Sequence, residues 1–464
     1  MRIATATVLL IDLFIRSLSI KAFFTDEGVL PIHILKQYCW SSGYFSLYAL
    51  SGELCWQITL FSLNAIVIIL LLIGYKTRLV TIICWLFLVS LQTRNPYISQ
   101  SGDDLLRLLL FWGIFLPWGE RYSIKKQSHY PNTYFSIQNI AYLLLPCSEL
   151  FFSAMLKTSS EWHQDGTALY YALSLDQIRL PLGTLIYPYP KLLSLLTHVV
   201  YYIEVIAPIL ILLPFVSINI RLVGMLFTLI LFIGIGSTLY VGLFYIIVIA
   251  SLIGMLPEQC MNAFETKWYQ NKTTFINKTN YTISTAQTVY HYFERFFVIC
   301  LSSFCLVMNL SNINSFPFII HENVIRTFTV LRLEQNWSMF APSILKDDGW
   351  FVYSALTKDH KYIDIKHNGK PVSYQKPKIV VTEFESDRWR KFQEFYTFKN
   401  NNHMRPYYCN YLLNKWNREH PKNQIIDLAI FFMKETSLAN YQVKPIEKNT
   451  VCYCTSQASS NEHP

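Results

Sequence analysis

Hydrophobic and polar positions divide the chain in two. From Ile3 to Leu310, apolar residues come in runs of roughly 18–22, the length a helix needs to cross a bilayer, separated by short polar and basic stretches. After Asn312 no such run occurs, and what remains is about 150 residues, an ordinary domain size. The apolar runs cover 3–24, 54–73, 79–91, 105–116, 137–156, 192–213, 222–235, 239–256 and 293–310, about nine helices by length and periodicity. The pattern predicts an all-α multi-span transmembrane domain over 1–311, followed by a C-terminal α+β extramembrane domain over 312–464.

In the second part the period shortens. Positions 350–356 and 361–366 alternate as strands do, and His367-Asn368-Gly369 supplies the Asn-Gly turn of a hairpin. A further strand is expected over 379–384 and a closing strand over 425–433. Residues 388–398 and 407–418 have helical spacing, the latter with Tyr408, Tyr411, Leu412 and Trp416 on one side. Between the fifth and sixth apolar runs, Leu169, Tyr170 and Leu173 mark a short amphipathic helix, ended by Pro181 and Gly183.

Composition supports the membrane reading: 52% of residues are hydrophobic and 15% charged, where soluble domains run near a quarter charged. The net charge of +9 does not point to nucleic acid, because the basic residues lie mostly in short loops between spans. With Arg2 inside, the inner segments carry Lys76, Arg78, Arg121, Lys125, Lys126, Arg221, Lys267, Lys272 and Lys278. The outer loops carry only Lys36, Arg94, Arg179 and Lys191. That bias places the N-terminus inside and, with an odd number of spans, the C-terminal domain outside. The ten cysteines include no CxxC pair, so no metal site is expected, and the pairing of Cys452 and Cys454 is not legible. The first apolar run carries Asp12 and Arg16 with no cleavage pattern after it, unlike a signal peptide.

Ionisable residues inside spans are expensive and therefore informative. Asp12 and Arg16, four apart, suit an intramembrane ion pair. Asp103, Asp104 and Arg107 open the fourth run, where acidic residues favour a helix N-terminus. Glu149, Ser153 and Lys157 follow at i, i+4 and i+8, with Pro146 upstream to free backbone groups. His198, Tyr201 and Glu204 form a second polar stripe on the next run, flanked by Tyr202. If the two helices are neighbours, an amine, carboxylates, an imidazole and phenols converge. Lys157 has two readings. It is an anchor reaching to the interface, or a buried amine whose neutral form serves as a general base. The sequence has no Walker loop, no GxSxG, no HExxH and no dinucleotide fingerprint.

Several stretches together carry a family likeness: FFTDEGVLP (23–31), RNPYISQSGDDLLRLLLFWGIFLPWG (94–119), FFSAMLKTSSEW (151–162) with DGTALYYALSLDQ after it, NWSMFAP, DDGWFV, DRWRKF and NKWNREHP. In these the chain resembles bacterial HTTM-domain membrane proteins, which are related to the vitamin K-dependent γ-carboxylases. The likeness covers nearly the whole chain. In the animal carboxylases a lysine stands five residues before a tryptophan at a helix end, and Lys157 and Trp162 match it. The resemblance implies a multi-pass protein of the inner (cytoplasmic) membrane using reduced vitamin K or another quinol. Lys157 would be the base, and the polar residues of the spans add Glu149, His198 and Asp103 as supporting groups. Trp162, Tyr201, Tyr202, Glu204 and Arg107 would bind substrate, and no metal is required. The implied partners are the lipid bilayer and a peptide or protein glutamate on the outer face, without nucleic acid. The chain departs from that pattern at Gly102-Asp103-Asp104, where animal carboxylases carry Asn-His, and at Phe232, where a histidine is expected. It also lacks an evident propeptide-binding region. A non-catalytic quinone- or lipid-binding protein that presents its outer domain to a partner is therefore the alternative.

Overall fold

The computed structural model describes residues 1–41, 43–124, 136–213, 217–257, 259–263, 285–313 and 320–456. Among the described residues, six helices are long and apolar enough to cross a membrane: Leu54–Ile73, Thr77–Arg94, Ile137–Leu156, Pro190–Leu212, Ile218–Thr238 and Tyr292–Ser311, the last being most of helix Thr285–Ser311. The chain is thus a multi-pass membrane protein. The other three expected spans form helices that are too short. Arg2–Ser17, Ser101–Gly113 and Phe244–Ile253 have 16, 13 and 10 residues, against the ~20 that a ~30 Å hydrocarbon core requires at 1.5 Å per residue. The expected first span breaks after Ser17 and resumes as Ile20–Phe24. Lys125, Lys126, Lys267, Lys272 and Lys278, used for the charge bias, lie outside the described residues.

Local signals set the ends. The Ser136 hydroxyl accepts the Asn139 N–H where helix Ile137–Leu156 begins. Gly74, at φ 82°, closes helix Leu54–Ile73 in the left-handed conformation that glycine adopts without strain. Gln100 and Asp103 form a reciprocal capping box at the start of Ser101–Gly113. Helix Pro190–Leu212 packs on Ile137–Leu156 and on Ile218–Thr238, so the two polar stripes are on neighbouring helices. At the far end of the bundle, Arg2 Nη1 donates to the Trp118 carbonyl at 2.7 Å, gathering the N-terminus and the loop after Gly113 on one side.

The C-terminal part is an antiparallel sheet, β1 (Asp347–Thr357), β2 (Tyr362–Asp364), β3 (Lys370–Pro371), β4 (Ile425–Thr436) and β5 (Glu447–Thr455), in the order β3-β2-β1-β4-β5. The Asn-Gly turn joins β2 to β3, with Asn368 and Gly369 both at positive φ. The alternation expected in β1 gives way to burial along nearly its whole length, because both faces are covered. Tyr353 meets Tyr408 of helix Arg405–Glu419 on one face, and Asp348, of opposite parity, accepts the Asp176 N–H on the other. The strand expected over 379–384 is a 3-10 turn, Val380–Glu383, leading into helix Asp387–Thr397, whose N-cap Ser386 accepts the Trp389 N–H. β5 was not expected, because Lys448, Asn449 and Thr450 hide its apolar residues.

A disulfide joins Cys409 to Cys454 across 45 residues, and Cys452 is free. On the chain-entropy model a loop of that length stabilises by about 4 kcal/mol. Replacing both cysteines by serine is expected to lower the thermal transition of the C-terminal part in non-reducing buffer and to abolish its sensitivity to dithiothreitol. An unchanged, dithiothreitol-insensitive wild-type melt would refute the bridge.

The sheet region does not hang from the bundle on a linker. One hydrophobic core runs through both, with Trp389 against Phe23 at 4.4 Å between ring centroids and its indole N–H donating to Ser19 Oγ. Beneath that contact lies a buried group of four charges. Arg16 Nε meets Asp12 at 2.8 Å, Arg388 Nη2 meets Asp12 at 2.6 Å and Asp103 Oδ1 at 2.8 Å, and Arg16 also binds Asp103. The expected Asp12–Arg16 pair is half of this group, and the other half arrives from far along the chain.

Candidate functional site

Lys157 is the C-cap of helix Ile137–Leu156, at the end nearest the sheet. Its side chain is 3% exposed and turned inward. Nζ donates to Ser153 Oγ at 2.8 Å, is ion-paired with Glu204 Oε2, and stands 4.9 Å over the centre of the Trp162 ring. Ser153 is one helical turn back on the same face, and Glu204 comes from helix Pro190–Leu212. Of the two readings of Lys157, the anchor reaching out to the interface is therefore not the one observed. The amine is desolvated and matched by a carboxylate, and a cation over an indole in such a setting gains up to about 2 kcal/mol.

Glu149, two turns behind Lys157, is 1% exposed, and its Oε2 has no hydrogen-bond partner among the described residues. A buried polar atom left unpaired in a spanning helix is costly, which makes Glu149 a candidate for a role beyond holding the fold.

A cap covers the amine. Trp162 is buried, and its indole N–H donates to the Phe340 carbonyl at 3.0 Å, while the Ser159 N–H donates to the Pro342 carbonyl at 3.2 Å. Glu161, which sequence reasoning missed, accepts the Ile344 N–H at 3.1 Å and pairs with Lys346 at 2.8 Å. His163 was missed as well. Its Nε2 donates to the Lys157 carbonyl at 2.7 Å, and its ring stands edge-on to Tyr201 at 4.7 Å. The available signal was a histidine just past a helix end, where it satisfies terminal carbonyls.

The other expected residues divide. Trp162 and Glu204 are at the amine, and Tyr201 is half-buried beside His163. His198 does not touch Lys157. Its ring nitrogens face the Ser194 and His163 carbonyls, both at 2.9 Å, so it fastens the cap to helix Pro190–Leu212. Tyr202 is 56% exposed on the outward face. Asp103, expected to support the lysine, is held instead by Arg16 and Arg388. Arg107, expected to bind substrate, donates to Gln92 and Asp104 at 2.8 Å and to the Arg332 carbonyl at 2.8 Å. Spacing along one helix correctly grouped Glu149, Ser153 and Lys157. It could not say which polar groups of other helices would meet them.

A second set of charges joins the loop after Ser174 to the sheet. Asp176 and Asp348 lie side by side, with Lys376 bridging Asp176 to Glu435 at 2.8 Å. Burial and the neighbouring Asp176 charge push the Asp348 carboxyl up to about 7. A carboxyl raised on folding favours the folded state when protonated. Its contribution is complete below the ordinary carboxylate range and is lost as pH rises through about 7. Thermal melts between pH 5 and 8 are therefore expected to show wild-type stability falling with pH by a few kcal/mol. Asp348→Asn is expected to flatten that slope, and a variant with the wild-type slope would exclude Asp348 as its source.

Among the described residues, no group of three or more His, Cys, Asp and Glu side chains is arranged to hold a metal ion. Compared with known proteins, the chain matches no family model, no curated protein and no solved structure.

Proposed function

We propose that the protein is a quinol-dependent, carboxylase-like membrane enzyme with Lys157 as its base. The observation that carries this reading is the buried Lys157 amine, turned inward between Glu204, Ser153 and the Trp162 ring. The likeness of FFSAMLKTSSEW to the γ-carboxylase lysine segment supports it. The donor set suits a quinol: the Trp162 face for its ring, and the unpaired Glu149 Oε2 and the Lys157 amine for its hydroxyls. When bound, a quinol and O2 supply the driving chemistry, giving an epoxide and one water while a glutamate γ-carbon exchanges a proton for CO2.

The residues of this chain handle protons. As an ion pair, Lys157 carries the proton and cannot act as a base. Transfer of that proton to Glu204 across the short contact leaves a neutral amine beside a carboxylic acid, with no net charge change in the buried site. The neutral amine then takes a substrate proton, within hydrogen-bond reach, as general base catalysis requires. The Trp162, Ser159 and Glu161 contacts to 340–346 hold the cap that excludes water. The Cys409–Cys454 bridge supports an outward-facing C-terminal domain, since disulfides persist in oxidising compartments, and the family likeness supports an inner-membrane location.

Purified protein incubated with reduced vitamin K, labelled bicarbonate and a glutamate peptide is expected to yield epoxide and labelled peptide. Absence of both products would sink the carboxylase reading. One observation favours a non-catalytic alternative: Lys157 and its cap are as well paired as a structural keystone would be. A quinone- or lipid-binding protein built on that keystone would keep its function in Lys157→Arg, which retains the charge but is no base near neutral pH.

A further inference from the structure

Outside the membrane, a pocket of about 230 Å³ opens between β1, the β2–β3 hairpin and helices Asp387–Thr397 and Arg405–Glu419. The contacts around Lys157 do not involve it. Its deepest polar groups are Tyr353, Gln393 and Tyr408, all buried. Gln393 Nε2 donates to the Tyr353 and Tyr408 hydroxyls at 2.8 and 3.0 Å, and the two hydroxyl oxygens are 3.0 Å apart.

A count of hydrogens shows what this triangle leaves over. The amide spends both N–H groups on the two hydroxyls, and one hydroxyl hydrogen is spent on the other hydroxyl. One phenolic O–H and the Gln393 carbonyl oxygen remain. That carbonyl oxygen is buried, in a residue 5% exposed, and has no partner among the described residues. The reversed amide would use only two of the three short distances, so the orientation given makes more bonds. Burial holds both phenols well above their ordinary range, so they are O–H donors at neutral pH. The triangle therefore leaves one donor and one acceptor without a partner among the described residues, in residues that line the pocket floor. A carboxamide complements both at once, giving an N–H and taking an O–H. An ionised carboxylate, which has only acceptors, leaves the Gln393 oxygen facing it unpaired.

The walls and rim narrow the class further. The rings of Trp389, Tyr411 and Trp416 line the sides and suit a short aliphatic stem. At the rim, Lys415 and Glu385 carry opposite charges, and neither side chain makes an ion pair or hydrogen bond among the described residues. An α-carboxylate and an α-amino group would engage both. The volume is below the ~300 Å³ at which drug-sized sites begin, so the occupant is small.

We propose that this pocket binds an amide-bearing amino acid, glutamine or asparagine, free or at the end of a peptide, with its side-chain amide on the Tyr353–Gln393–Tyr408 floor. This site is independent of the quinol reading and stands or falls separately.

The test is calorimetric titration of the full chain in nanodiscs with L-glutamine, L-asparagine, L-glutamate and a glutamine-ended peptide. Glutamine or the peptide is expected to bind at least about tenfold more tightly than glutamate, one unpaired buried group being worth about that factor. Gln393→Met is expected to weaken binding by about tenfold or more, and Lys415→Ala by a few-fold with an unchanged thermal transition. Preference for the free amino acid or for the peptide assigns the source. No saturable heat with any ligand up to about 10 mM would overturn the proposal, as would equal affinity for glutamine and glutamate. Wild-type affinity in Gln393→Met would also overturn it. Should Gln393→Met fail to fold, the wild-type ligand contrast and Lys415→Ala decide.

Discussion

Replacing Arg388 by methionine is expected to cost about 3–5 kcal/mol, the usual penalty for removing one partner from a buried ion pair. The wild-type group is balanced, with Asp12 and Asp103 facing Arg16 and Arg388, all four buried. Arg388 donates to both carboxylates and also to the Ile98 carbonyl at 2.7 Å. Without it, two carboxylates share Arg16, and desolvation that was matched becomes uncompensated. Because Arg388 belongs to the sheet region and the other three to the bundle, the loss is expected to uncouple the two. Detergent-solubilised Arg388→Met should melt earlier, with Trp389 leaving its place against Phe23 and becoming accessible to an aqueous fluorescence quencher. Adding Asp103→Asn removes one of the stranded charges, so the double variant should recover part of the loss rather than add to it. A single variant that melts with wild type would mean that these charges are already solvated.

The second large effect is expected at Lys157. Lys157→Met leaves Glu204 buried without its counter-charge and should destabilise the protein by a similar few kcal/mol. Lys157→Met combined with Glu204→Gln removes both charges and should restore most of that stability. Activity should separate from stability in this series. Loss of a general base costs about 10²–10⁴-fold in rate, and the double variant, although folded, should remain at that reduced level in the epoxide and label assays. Lys157→Arg is the sharper probe, because it preserves the pair with Glu204 and fails only if the amine must be neutral. A folded double variant or Lys157→Arg with wild-type turnover would remove Lys157 from the chemistry and leave it a structural role.

Parts of both the fold and the site were legible beforehand for identifiable reasons. The 3.6-residue period places Glu149, Ser153 and Lys157 on one face, whatever surrounds the helix. Asn368-Gly369 specifies its turn through local backbone sterics. β1 was found as a strand, although its alternation was overridden once helix Arg405–Glu419 and the loop at Asp176 covered both faces. The segment 379–384 read as a strand because Val380 and Val381 are β-branched, yet among the described residues it has no partner strand and closes as a 3-10 turn before the Ser386 cap.

By itself the sequence determined the six long apolar helices among the nine expected spans, the change of character near Asn312, and the placing of one lysine at the end of a span. These depend on length, period and composition, which act along the chain. Only the tertiary structure decided that Lys157 turns inward to Glu204, that His198 fastens a cap rather than meeting Lys157, and that Asp103 and Arg107 serve other networks. The structure also disclosed that Cys409 finds Cys454 and that Gln393 sits between two buried phenols. Each of these pairs residues from separate segments. A side chain's charge and hydrogen-bonding capacity are local properties, but the group that satisfies them inside a dry core is chosen by which helices pack together.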